Sequence, residues 1–302
     1  MKNLRTILFA VAVTAVILAC GIGGAPAIPA DNVATAVAST MQALTPAAPA
    51  PTATAAASPQ PTAMQGIPVT YKNVSFVLPV GLASDAAPSS VPQADESMGG
   101  PWGASPEHIE FRLNNYNTPS NAFTSREIHV YPATDYANVN AGANISLQRL
   151  RGLLADASAP ITIDNVPHVP FFNADAMIAV QAQRLHFQNG DGVRMVTQYS
   201  QGLMPVANDG TFYQFVGLTG DGKYLIVAVL PTQAPILQTS QDSSSRAPAG
   251  GVPFPDMNSM DAQVFETYLQ AITGKLNATD PASFQPSLQT LDALVQSLNV
   301  QP

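Results

Sequence analysis

Seven consecutive apolar residues, Tyr224-Leu225-Ile226-Val227-Ala228-Val229-Leu230, constrain this 302-residue chain more than any other feature. A β-branched run bounded by glycine turns reads as a strand, and a strand apolar on both faces must be covered on both. Phe212-Tyr213-Gln214-Phe215-Val216 makes the same demand. The spacing predicts four strands, at about 178–188, 192–200, 211–218 and 222–230. Their connections are Asn189-Gly190-Asp191-Gly192, Asn208-Asp209-Gly210 and Gly220-Asp221-Gly222, which supply the positive φ angles of tight turns. Strand 192–200 alternates, with Val193, Met195 and Tyr199 on one side and Arg194, Gln198 and Ser200 on the other.

Covers for such a sheet flank it. Ile145, Leu147, Leu150 and Leu154 predict a short helix over 145–155 with Asn144 as its cap. Two more helices are predicted near 260–276 (Val264, Phe265, Tyr268, Leu269, Ile272, Leu276) and 286–298 (Leu288, Leu291, Val295, Leu298). Pro286 suits the first turn of the latter. Ahead of the meander, Val69–Tyr71 and Ser75–Pro79 read as short strands around Asn73. Ile109-Glu110-Phe111-Arg112-Leu113 and Ile128-His129-Val130-Tyr131 alternate as half-buried strands do. Residues 81–106 read as a Gly/Pro/Ser-rich excursion, and 238–257 as a flexible surface loop. The expected class is α+β: an antiparallel β-sheet meander covered by helices, forming a single globular domain over 67–302.

The N-terminus bears on where such a domain works. Lys2 and Arg5 precede an apolar run from Ile7 to Ala19 that only Thr14 interrupts. Ile17-Leu18-Ala19-Cys20 then places a small residue before the chain's only cysteine. About 13 apolar residues fall short of the roughly 20 that span a bilayer, and the basic start favours an export signal. The segment resembles a bacterial lipoprotein signal with its lipobox. That resemblance implies a signal peptide over 1–19, lipidation of Cys20, and an extracytoplasmic chain anchored to a bacterial membrane. Two acyl chains hold firmly, since each buried methylene contributes about 0.8 kcal/mol. Gly21 follows, rather than the aspartate that would resemble an inner-membrane retention signal.

Residues 20–66 are dominated by Ala, Pro and Thr and cannot bury enough surface to fold, so a disordered tether is expected. Twenty Pro-rich residues at about 3.1 Å each would reach about 60 Å. With Cys20 lipidated, no thiol remains for disulfides, catalysis, cysteine-ligated metal or iron–sulfur chemistry. Removing Lys2 and Arg5 with the signal takes the formal charge from −8 to −10. That charge disfavours nucleic acid and anionic headgroups as partners. Charged residues make up 11% of the chain against an average near 25%, which leaves few candidate acids, bases or ligands.

Phe187-Gln188-Asn189-Gly190-Asp191-Gly192-Val193-Arg194, Thr197-Gln198-Tyr199 and Gly217-Leu218-Thr219-Gly220-Asp221-Gly222-Lys223-Tyr224 together resemble a pattern in uncharacterised exported lipoproteins of green non-sulfur bacteria. The likeness covers most of the mature chain and implies location and fold rather than an activity. The order of elements is also similar to the Mog1/PsbP-like fold, some members of which are lipoproteins or accessory subunits. This second likeness is an analogy of fold that rests on no shared functional residue.

Chemistry is sparse. His108, His129, His168 and His186 are far apart and show no spacing of zinc ligands. Gln198-Tyr199-Ser200-Gln201-Gly202 is not a nucleophile elbow. The Asp-Gly turns lack the alternating acidic ligands of a calcium loop. Asp95-Glu96 and the pair Glu107 with Glu110 read as solvated faces rather than paired catalytic carboxylates. Asn73, Asn144 and Asn277 begin glycosylation sequons that a bacterial export signal makes incidental. Trp102, the only tryptophan, sits in Gly99-Gly100-Pro101-Trp102-Gly103. It reads either as an anchor for a partner or ligand or as a plug for the core edge.

The expectation is therefore a lipid-anchored extracytoplasmic domain with a non-catalytic binding or accessory role at the cell envelope. No catalytic residue, metal ligand or cofactor is assigned. The competing readings are an envelope hydrolase whose site is assembled from distant residues and a solute receptor of a transporter.

Overall fold

Along the chain the elements run β1 (Gly66–Tyr71), β2 (Val74–Pro79), β3 (Asp85–Val91), β4 (His108–Asn114), β5 (Glu127–Pro132), α1 (Ala133–Val139) and α2 (Ala141–Ala155). Then follow β6 (Asp175–Phe187), β7 (Gly190–Ser200), β8 (Phe212–Thr219), β9 (Tyr224–Pro231), α3 (Ala262–Asn277), α4 (Leu288–Gln296) and β10 (Asn299–Val300). This computed structural model describes residues 65–97, 103–118 and 126–302. Within them the architecture is α+β. A seven-stranded sheet has the order β3-β4-β5-β9-β8-β7-β6, and a three-stranded sheet the order β1-β2-β10. Every strand pairing in both is antiparallel.

The meander β6 to β9 forms as its turns predict, and β9 then pairs with β5, joining Ile128 to Ala228 and Val130 to Ile226. That junction makes the most apolar strand the central one of the sheet. One face carries Phe111, Ile128, Tyr213, Phe215, Ile226 and Ala228 against Ile272, Leu276, Leu291 and Val295 of α3 and α4. Val74, Phe76 and Leu78 of the small sheet join that core. The other face carries Tyr131, Val193, Phe212, Val216, Leu225, Val227 and Val229 beneath Tyr136 of α1 and Leu147, Leu150 and Leu153 of α2. Both faces are covered, as the apolar runs require.

Several local expectations are corrected. α2 begins at Ala141, not 145, because Asn140 rather than Asn144 is the cap and its side chain accepts a hydrogen bond from the Ala143 N–H. The earlier start turns the apolar stripe: Ile145 is 54% exposed and Leu153 takes an inward place. Ser287 caps α4, so Pro286 precedes the helix rather than occupying its first turn. Residues 85–91 of the Gly/Pro/Ser-rich stretch form β3, an edge strand whose Pro88 and serines blunt further pairing. The polar side of β7 is not solvated. Arg194 and Gln198 are buried on the face that α4 covers. The 238–257 stretch is an irregular surface loop as expected, tied at its start by buried Gln238 and by Asp209, which accepts from the Gln241 N–H at 2.9 Å.

Candidate functional site

Two features stand out, at opposite ends of the large sheet. The first is a groove of about 1220 Å³ along β6. β6 is the terminal strand of the sheet. Its second half is closed by the end of α3, where the Gln181 N–H donates to Asn277 Oδ1 at 2.7 Å and the Gln181 side chain donates to Leu276 and Thr279 carbonyls. Its first half, 175–179, instead forms the floor of the groove. Phe265 and Leu269 of α3 make one wall, and Ile161 and Phe172 of the α2–β6 connection the other. Among the described residues lining it, Asp175 and Glu266 are the charged ones.

The second feature lies on the α2-side face of β4 and β5. Register places Glu110 directly opposite His129, and Arg112 opposite Glu127, so four polar side chains share one face. Arg112 Nη2 donates to Glu127 at 2.9 Å and to Glu110 at 3.4 Å. His129 Nε2 lies 3.4 Å from Glu127 Oε2, and Nδ1 lies 4.0 Å from Glu110 Oε2. One ligand atom from each of Glu110, Glu127 and His129 falls within 4.8 Å of the others. The His129 Nδ1 atom is buried and has no hydrogen-bond partner. Arg112 is the exposed member, at 62%.

His108 adjoins this cluster, its ring 5.5 Å from His129 and 4.2 Å from Tyr131. Its Nδ1 lies 3.0 Å from the Pro106 carbonyl, which fixes the proton there and leaves Nε2 as the acceptor. Burial pushes the imidazole down to about 4, an effect that the Pro106 contact opposes and nearby His129 reinforces. Burial likewise holds the Tyr131 hydroxyl well above its ordinary value. His108 also lines a cleft of about 590 Å³ with Lys72, Asp135 and Tyr224, so the cluster has solvent beside it.

A third ionic group, on the opposite face, serves structure. Asp292 of α4 accepts from Tyr213 Oη at 2.9 Å, Gln183 Nε2 at 3.1 Å and Arg194 Nη2 at 3.3 Å, with Arg194 Nε 3.2 Å away. Three groups donate to one carboxylate, while Arg194 Nε, though close, is buried without a hydrogen bond. Burial nevertheless raises its pKa, against the pull of Arg194 and Tyr213.

Of the residues singled out in the sequence, His108, Glu110 and His129 come together, and the others are scattered. Cys20 and Trp102 lie outside the described residues. Glu107 pairs with Lys72 at 3.9 Å on the surface and does not converge with Glu110. Asp95 accepts from Ser97 in a local turn. Asp221 accepts from Thr219 and from the Lys223 N–H, as a turn residue does. His168 lies 3.4 Å from the Tyr199 hydroxyl, and exposed His186 pairs with Asp191 at 3.0 Å. Sequence reasoning passed over Glu127. The signal was a matched alternation, His-x-Glu-x-Arg over 108–112 and Glu-x-His over 127–129, which aligns only once β4 and β5 are known to pair.

No family model matches this chain, and no curated protein or solved structure does either.

Proposed function

We propose that the chain is a lipid-anchored extracytoplasmic domain with a non-catalytic binding or accessory role at the cell envelope, and that it docks an extended segment of a partner protein in the β6 groove. The observation that carries this reading is a terminal strand at the floor of a groove whose walls include Ile161, Phe172, Phe265 and Leu269. An extended peptide adds to such an edge through main-chain hydrogen bonds, and side-chain pockets select its sequence. The acidic lining favours a neutral or basic segment with apolar side chains facing Phe265 and Leu269. The lipobox and Ala/Pro/Thr tether support presentation of this groove away from a membrane surface. A large sheet covered on both faces, sharing one core with the small sheet, favours docking over the two-lobed solute-receptor reading.

A photo-crosslinking residue at Gln270, on the groove side of α3, tests the proposal against the same probe at Gln148, on exposed α2. In native membranes, Gln270 should capture one dominant protein partner that Gln148 does not. Equal capture from both positions, capture of a second copy of this chain, or no capture would overturn it.

A further inference from the structure

We propose that Glu110, Glu127 and His129 form a binding site for a first-row divalent cation of the zinc class, independent of the groove. The donor set is one imidazole nitrogen and two carboxylate oxygens, which suits borderline ions such as Zn²⁺. The three residues lie on adjacent paired strands, a rigid frame, and their ligand atoms are already within 4.8 Å of one another. An ion about 2.0–2.2 Å from each donor needs separations of about 3.3 Å, so the carboxylates, which now face Nδ1 and Nε2 respectively, must rotate toward one ring nitrogen. His129 Nδ1 is buried, lacks a hydrogen bond and stands on the Glu110 side of the ring.

Charge supports the same assignment. Among the described residues, the Glu110 and Glu127 carboxylates share one guanidinium, Arg112. Arg112 occupies the solvent side and is mostly exposed, so it can swing out. A divalent ion replacing it neutralises both carboxylates and leaves coordination positions toward solvent. Arg112 is thus a competitor at the site and not a ligand. His108, held by the Pro106 carbonyl, keeps its ring 5.5 Å from His129 and walls the site from the cleft.

The test uses the full chain purified from membranes in detergent and stripped with chelator. Zn²⁺ is titrated and bound metal counted per chain, and Co²⁺ is followed by its visible absorption. One equivalent should bind with a Co²⁺ spectrum of low coordination number. Glu127→Gln and His129→Gln should each weaken binding by about tenfold or more, while Arg112→Ala should bind at least as tightly as the parent. His186→Ala removes the exposed His186–Asp191 pair and should change nothing. Circular dichroism confirms folding, and if Glu127→Gln does not fold, His129→Gln decides. Parental affinity in the His129 and Glu127 variants, loss of binding on His186→Ala, or no stoichiometric binding by the parent would overturn the assignment.

Discussion

The two carboxylate clusters of the large sheet face opposite ways and are built on opposite principles. On the α4 side, one carboxylate, Asp292, meets Arg194, Tyr213 and Gln183, and every partner is drawn toward it. On the α2 side, among the described residues, two carboxylates share one mostly exposed guanidinium and stand beside an imidazole. The first is a latch that ties a helix to the sheet, while the second is loosely balanced and open to exchange. A buried carboxylate held by several donors makes a fixed structural element, and carboxylates held by a mostly exposed guanidinium make a responsive one.

Cutting the latch gives the largest expected effect. Asp292→Ala leaves the Arg194 charge buried without its partner and should cost about 3–5 kcal/mol in urea unfolding. A loss below 1 kcal/mol would mean that the latch is ornamental.

Acid should separate the two faces next. The folded state holds His108 down at about 4 against a reference of 6.5, so its stabilisation is complete above 6.5. It is lost as pH falls from 6.5 through 4. Asp292 is shifted upward, so its contribution has the opposite sign and is lost as pH rises through the shifted value. Between pH 7 and 4.5 the parent should lose roughly 2 kcal/mol more than His108→Gln, after discounting for partial solvent contact. Equal pH dependence would contradict the burial of this imidazole.

Arg112→Ala should have the smallest effect, under about 1 kcal/mol of stability without metal, because its side chain is mostly in solvent. A cost as large as that of Asp292→Ala would erase the distinction between the clusters.

The fold was largely legible because its strongest signals are local. The apolar runs at 212–216 and 224–230 and the Asn/Asp-Gly turns define the meander without knowledge of contacts. The displaced start of α2 shows the limit, since Asn140 and Asn144 are both acceptable caps and only packing against the sheet chooses between them. β3 escaped because its Pro88 and serines look like a loop, and an edge strand needs only one partner. Neither candidate site was readable in advance. The groove depends on which strand ends the sheet, and the Glu110–Glu127–His129 grouping on the register of β4 with β5. Both are properties of pairing between distant segments, which spacing in one sequence does not encode.

The location of the proposed role rests on the anchor, and mass spectrometry of the N-terminal peptide from the natively expressed chain tests it most directly. The account predicts a mature N-terminus at Cys20 carrying diacylglyceryl mass on sulfur, recovered in the membrane fraction. An unmodified Cys20, or a mature chain beginning elsewhere, would contradict it.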